Sequence, residues 1–402
     1  MNGAFDQARE RFLAGVVSQE AGHWAAAEAH YRASLALLPE RPSALCNLGT
    51  TLLQAGRADE ALPLLVRATQ LTPDDGAAWA HQGMALVALQ RDEEALSALT
   101  TALQAGQDRA DLHWQRTQAL LRLGRPEQAQ TACAAVLALA PDDAVAWALN
   151  GSLLKDLGRS AQAITALQRA IALGADTAVN AYLLASLQGH GAPPQPPAGY
   201  VQSLFDGYAA GFDAHLIDKL RYCAPAVLGR HLRTSGRRFA SALDLGCGTG
   251  LCAPELRPLA ERLTGVDLSS AMLEQARARG LYDRLVQRDI GAHLLAEAPA
   301  QHDLVLAADV FIYVGALDTV FAGVRRALQP GGLFCFSVEQ ADDTVDHTLR
   351  PSSRYAHSAR YLQSLAASHG FVVQRLWQDA VRNDQGQAVA GLYAALIGGD
   401  GR

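Results

Sequence analysis

The stretch Leu243-Asp244-Leu245-Gly246-Cys247-Gly248-Thr249-Gly250 decides how the second half of this chain is read. It follows a short apolar run, Phe239 to Leu243, and precedes a helical pattern from Cys252 to Arg262. A strand that turns through glycines into a helix start aims free backbone N–H groups, and the positive end of the helix dipole, at a ligand. Gly246 and Gly248 allow a tight turn and a close approach with no Cβ in the way. Outward from this stretch, strand and helix patterns alternate. Strands are expected at 239–245, 262–267, 284–288, 302–308, 332–338, 371–377 and 391–397, with helices at 251–261, 269–279, 316–328 and 359–369. Such alternation implies a parallel sheet with right-handed crossovers and a ligand at the carboxyl ends of the strands. Between the last two strands no helix fits, and Asn383 to Gly386 is a turn signal, so that pair is an antiparallel hairpin.

A dinucleotide-binding turn has the form G-x-G-x-x-G, its third glycine packing helix on strand. Here Leu251 holds that position, the glycine comes one residue early at Gly250, and Asp244 lies outside the pattern. The stretch instead resembles motif I, D-x-G-x-G-x-G, of the class I S-adenosylmethionine-dependent methyltransferases. The resemblance covers about residues 200–398. It implies a Rossmann-like α/β domain, with a seven-stranded, mostly parallel sheet ending in the antiparallel hairpin. Asp267 closes the second strand 21 residues after Gly246, where a carboxylate can accept hydrogen bonds from both ribose hydroxyls. By the resemblance, Asp289 accepts from the adenine amino group, Ile290 donates its backbone N–H, and Met272 packs on the ring. Ala308, with Asp309 and Val310, borders the methionine moiety. Asp244, Gly246, Cys247, Gly248, Gly250 and Leu268 complete the implied cofactor-binding set. The implied cofactor is S-adenosyl-L-methionine, the product S-adenosyl-L-homocysteine, and no metal is expected. The segment Phe205 to Asp213 resembles the lid that precedes motif I, with Phe205, Tyr208 and Phe212 over the methionine end. Their spacing also fits a packed helical stripe.

The first half repeats with a period of 34 residues, the length given for tetratricopeptide repeats. A small residue recurs at Ala27, Ala61, Ala95, Ala129 and Ala163, followed by Tyr31, Leu65, Leu99, Cys133 and Leu167. Turn signals fall in phase at Gly22, Gly56, Gly124 and Gly158, with Gln90 as the exception. Prolines recur at Pro39, Pro73 and Pro141, and Trp79 and Trp147 share one position. Five in-phase units resemble tetratricopeptide repeats, and the whole chain resembles bacterial methyltransferases that carry such repeats. The resemblance implies an α-helical solenoid over residues 8–187, comprising five repeats and a capping helix, Ala178 to Leu187. Its groove is expected to take a protein or peptide partner. Positions expected to face it include Asn47, Thr50, His81, Met84, Trp114, Gln115, Gln118, Ser152 and Lys155. Only Asn47 and Lys155 match the clustered Lys, Arg and Asn of chaperone-tail binders, so that ligand is not expected. Residues 188–199, rich in proline and glycine, read as a semi-rigid linker. The methyltransferase domain is expected at 200–398.

Composition narrows the partners. The formal net charge is −6, which argues against a nucleic-acid binder that works by neutralising phosphates. No run of about 18 apolar residues exists, so no transmembrane helix is expected. The start of the sequence lacks an apolar signal core, and the six cysteines have neither disulfide nor zinc spacing. A reducing, cytoplasmic setting is therefore expected.

An activated sulfonium requires mainly that a nucleophile be aligned with the methyl group. A base is needed only where the nucleophile carries a proton near neutral pH. The polar insertion Gln340 to Ala359 offers His357 as a base, because imidazole titrates in the right range, or as a hydrogen-bonded loop histidine. Tyr355, Tyr313 and Asp309 are further candidates. Two functions follow: methyl transfer to an unidentified acceptor with the repeats recruiting a protein, or an interaction scaffold whose second half binds ligand without transferring.

Overall fold

A computed structural model describes residues 2–208, 211–384 and 386–399. It divides into two compact units, residues 1–177 and 178–402. In the first, helices come in pairs: Asn2–Glu20 with Trp24–Leu37, Pro42–Gln54 with Ala58–Leu71, Gly76–Ala88 with Asp92–Gln104, Ala110–Arg122 with Pro126–Leu139, and Ala144–Asp156 with Ser160–Ala172. Where the helices of a pair cross, a residue without a side chain faces a large one sixteen positions on. A Cβ on Gly49 would lie 2.6 Å from Leu65 Cγ, one on Gly83 2.6 Å from Leu99 Cγ, and one on Gly15 2.6 Å from the Tyr31 ring. The fourth unit inverts the sizes: buried Thr117 stands at the glycine position and buried Cys133 at the leucine position. Volume is thereby conserved within the unit, as close packing demands.

The linkers within and between pairs are built from the backbone. Trp79 Nε1 donates to Pro73 O and Trp147 Nε1 to Pro141 O, each at 2.8 Å, while Asp75 and Asp143 cap the helices that follow. Each turn within a pair ends in a left-handed residue, at Gly22, Gly56, Gln90, Gly124 and Gly158. There the next N–H reaches five residues back, as from Arg91 to Leu86 O, which satisfies carbonyls left open at the helix end. Two of the expected groove residues are engaged inside the array: Asn47 donates to the Tyr31 hydroxyl, and His81 Nδ1 lies 3.6 Å from Cys46 Sγ.

The second unit is organised on one mixed sheet. Its strands are β1 (Phe239–Leu245), β2 (Ala260–Asp267), β3 (Arg284–Gln287), β4 (His302–Ala307), β5 (Leu328–Gln340), β6 (His347–Leu349), β7 (Tyr355–His357), β8 (Phe371–Asp384) and β9 (Gln387–Gly398). The order β3-β2-β1-β4-β5 is parallel, and β9 runs antiparallel to both β5 and β8. Among the described residues the sheet thus has nine strands rather than seven. The added pair, β6 and β7, is the polar insertion, and β7 extends the sheet parallel to the end of β5. At three residues each, these strands are too short to show a period-two pattern. The helix expected at 251–261 is only Ala253–Leu256, because Pro258 lacks the N–H to continue it and disfavours helix at Arg257. One face of the sheet is packed by phenylalanines, with Phe311, Phe321, Phe334, Phe336 and Phe371 in edge or tilted contact.

The helix expected at Ala178 to Leu187 is present as Thr177–Gln188. Residues 178–188 belong to the second unit, where Tyr182 is fully buried and its hydroxyl donates to Ser353 O at 2.6 Å. The proline-rich stretch is also held: Pro194 O accepts from Gly315 N at 2.9 Å, and Pro193 O from the Tyr355 hydroxyl. Proline has no N–H to donate, but its carbonyls remain strong acceptors. The chain entering the domain is latched to the last hairpin, Cys223 N donating to Val381 O at 3.0 Å and Asn383 N to Leu220 O at 2.6 Å.

Two outcomes follow from this packing. Gln90 is the one turn residue of the five with a side chain, at φ 57, so Gln90→Gly should raise stability by about 0.5–1 kcal/mol, the relief of left-handed strain less the entropy of glycine. Thermal melting would read this as an upward shift of a few degrees. A fragment of residues 178–402 should fold, whereas one beginning at 200 should melt at clearly lower temperature for want of Tyr182. Equal melting temperatures would return residues 178–199 to the status of cap and linker.

Candidate active site

The carboxyl ends of β1, β2 and β4 converge on a cavity of about 720 Å3. The turn after β1 is left-handed at Gly246 and Gly248, with φ 64 and 54. Gly246 is required twice, since a Cβ there would also lie 2.6 Å from Val310 Cγ2 at the end of β4. At the end of β2, Asp267 Oδ2 accepts from Gly248 N at 2.8 Å and Oδ1 from Ser269 N at 2.9 Å. Burial pushes this carboxyl above its usual value, and the two backbone donors act against that. Each oxygen keeps a second lone pair, and Asp267 lines the cavity with Cys247, Leu268, Met272 and Ile290.

Asp289 also lines the cavity, and its Oδ1 accepts from Ala292 N at 2.9 Å as the cap of the helix Ile290–Ala296. Asp244 differs. It is buried behind the turn, accepts from the Tyr282 hydroxyl at 2.7 Å, and is not among the lining residues. Burial pushes its carboxyl up to about 7, against the hydrogen bond from Tyr282. Its contact is with the framework of the turn, a partner that no local pattern around residue 282 would reveal.

Two carboxylates tie residues 198–208 and 211–214 to the loops around the cavity. Asp206 accepts from the Ser269 hydroxyl at 2.5 Å, while Asp213 accepts from Thr249 Oγ1 and pairs with Arg279. Phe205 meets Phe212 edge-on at 6.0 Å and Tyr313 at 5.3 Å, and all three line the cavity. Tyr208 ends the helix Ala198–Tyr208, and its side chain lies outside the described residues.

The far wall is charged. Asp309, left-handed at φ 55, follows Ala308 and is held by its N–H to Ser337 Oγ at 2.9 Å. Its Oδ2 accepts from Arg382 at 2.7 Å, and the other arm of Arg382 binds Glu339, which also pairs with Arg350 at 3.0 Å. Asp309, Arg382, Arg354 and Tyr313 line the cavity.

Residues 243–336 match the family of the methyltransferase domain. Residues 19–86, 52–121 and 86–153 match one tetratricopeptide-repeat family and residues 144–176 a second. The chain carries a methyltransferase domain behind tetratricopeptide repeats. Among its relatives is the malonyl-[acyl-carrier protein] O-methyltransferase of Enterobacter lignolyticus (strain SCF1), 35% identical over 132 residues, 32% of this chain and 52% of that protein. Methyltransferase-like protein 27 of Homo sapiens is 35% identical over 146 residues, 34% of this chain and 56% of that protein. The chain thus spans about half the length of each. Among solved structures, the N-methyltransferase NodS from Bradyrhizobium japonicum WM9, in complex with S-adenosyl-l-homocysteine, is 19% identical with a TM-score of 0.41, covering 49% of this chain and 97% of that one.

Within the methyltransferase domain, the candidate bases part company. Tyr313 lines the cavity, but His357 and Tyr355 do not. His357 is fully buried, with Nε2 at 2.9 Å from both Val314 O and Gly315 O. Both partners being carbonyls, Nε2 carries the proton, and Nδ1 is left buried without a partner. Burial, with His347 nearby, pushes the imidazole down to about 4, and the geometry is that of the other expected reading, a hydrogen-bonded loop histidine. Tyr355 is likewise spent on the proline-rich stretch. Arg382 is absent from the residues that the sequence singles out, and no local pattern marks it, because its strand also carries Gln374, Arg375, Gln378 and Asp379.

The titration of His357 has a sign. The folded protein keeps it neutral while the unfolded chain takes up a proton below about pH 6.5, so its contribution is intact above that pH and is lost as pH falls toward 4. His357→Gln, which keeps a donor but does not titrate, should therefore show a shallower fall of melting temperature from pH 6.5 to 4.5. The difference should approach about 1.4 kcal/mol per pH unit, and parallel profiles would refute the assignment.

Proposed function

We propose that the cavity binds S-adenosylmethionine and directs its methyl group to an acceptor held against the Asp309–Arg382 wall. The observation that carries this reading is Asp267. A half-buried carboxylate stands at the end of β2 in the cavity wall, fixed by N–H groups of the glycine turn and the next helix, with lone pairs left for two ribose hydroxyls. Leu268, Met272 and Ile290 supply an apolar slot for adenine, and Asp289 keeps one oxygen for the amino group while the other caps its helix. Gly246, Cys247 and Gly248 bring open backbone alongside the cofactor, Gly250 does not line the cavity but packs toward Tyr282, Asp244 steadies the turn through the same tyrosine, and Ala308 borders the methionine end.

The cofactor supplies a methyl group on a sulfonium, so what the protein must add is alignment and exclusion of water. Phe205 and Phe212 cover the site as apolar surface. A volume near 720 Å3 lies in the upper part of the roughly 300–1,000 Å3 range of small-molecule sites, which leaves room for an acceptor group beside the cofactor. The repeats support recruitment of a protein, since stacked helix pairs form an extended concave surface. All six cysteines are free thiols, which supports a cytoplasmic setting. No helix among the described residues is long and apolar enough to cross a membrane.

Titration calorimetry with S-adenosylhomocysteine tests the reading. The wild type should bind, and Asp267→Ala should weaken binding by about 1–3 kcal/mol with an unchanged circular dichroism spectrum. Equal affinity in the variant would remove Asp267 from the site, and no binding by the wild type would remove the cofactor from the cavity.

A further inference from the structure

Asp309 and Glu339 are sister carboxylates that share one guanidinium. Arg382 gives one arm to each, and both acids are largely buried. Glu339 is satisfied at both oxygens, because Arg350 donates to its Oε2. Asp309 is not. Its Oδ2 takes Arg382, while Oδ1 is buried and has no hydrogen-bond partner among the described residues. Of the two acids, only Asp309 lines the cavity.

An unmet oxygen on a buried carboxylate is costly, and a purely structural ion pair would have used both oxygens. The backbone is strained at the same residue: Asp309 is left-handed at φ 55, directly after β4, and its N–H is fixed by Ser337. Strain and an unmet buried acceptor at one residue on a cavity wall mark a group kept for a ligand.

We propose that Asp309 Oδ1 receives the hydrogen of the methyl acceptor's nucleophile, making Asp309 a catalytic residue and the acceptor a hydroxyl or amine. In the step, a bond forms between the nucleophile and the methyl carbon as the carbon–sulfur bond breaks. The electron pair of that bond goes to sulfur and neutralises the sulfonium, and the nucleophile's proton passes to Oδ1 and then to solvent. Arg382 positions the carboxylate, and burial holds its proton affinity above that of an exposed aspartate. Tyr313, on the same wall, is unsuited to receive that proton, because burial raises its hydroxyl and it therefore donates rather than accepts. The inference rests on the cavity holding S-adenosylmethionine.

The test needs no knowledge of the acceptor. Sinefungin, a cofactor analogue, carries an amine where the transferable methyl would be, and that amine can donate a hydrogen bond to a carboxylate oxygen placed on the acceptor side of the methyl. The full chain should prefer sinefungin to S-adenosylhomocysteine in calorimetric titration. Asp309→Asn should abolish that preference by tenfold or more, with affinity for S-adenosylhomocysteine within threefold of wild type. Asparagine and glycine both tolerate a left-handed backbone, so Asp309→Gly is the second variant and should lose the same preference. Equal weakening of both ligands would overturn the proposal, assigning Asp309 to the methionine end. So would an unchanged preference in both variants, or none in the wild type. Failure of the wild type to bind either ligand would overturn the cofactor reading itself, and this inference with it.

Discussion

Asp267 accepts one hydrogen bond from the turn after β1 and one from the start of the following helix, and that bridge fixes how two strand ends face the cavity. The parallel register carries β1 and β2 together to Leu245 and Val266, one residue before the carboxylate. On the other flank Val310 presses against Gly246 so closely that no side chain fits between them. Three loops are thereby locked to one another through a carboxylate and a missing Cβ. The aromatic cover depends on the same framework, because Ser269 and Thr249, which anchor Asp206 and Asp213, belong to those loops.

The strand ends were legible because an acid stands at or near each: Asp244 one residue before the end of β1, Asp267 as the last residue of β2 and Asp289 two residues after β3. Local pattern could not report what their oxygens meet. Asp244 turned toward Tyr282, 38 residues on, and His357 toward two carbonyls of a loop 42 and 43 residues back. A histidine in a polar insertion has the right composition for a base, but burial inverted its chemistry. The partners of the proline-rich stretch were hidden for a related reason, since composition records its missing donors and not what its carbonyls accept.

The repeats were legible in a different way. There a period was visible even where individual residues departed from it, and the departures have physical readings. Gln90 bears a strain that its four counterparts avoid, whereas Thr117 and Cys133 depart together and keep the volume of the crossing. A repeat tolerates exchange of size between facing positions more readily than loss of a turn conformation, because side chains repack and a left-handed backbone does not.

The latch between residues 220–223 and the final hairpin has a consequence for synthesis. Arg382, which orients Asp309, lies on β8, and β9 must insert beside β5 before that hairpin has a sheet to join. A ribosome adding about 5–20 residues each second delivers every repeat well before these strands. The helical pairs, whose contacts are local, can stack while the methyltransferase domain is still an open half-sheet with an unpaired β5 edge. The charged wall of the cavity is therefore among the last features to form, and the nascent chain holds its stacked repeats before it holds a complete cavity.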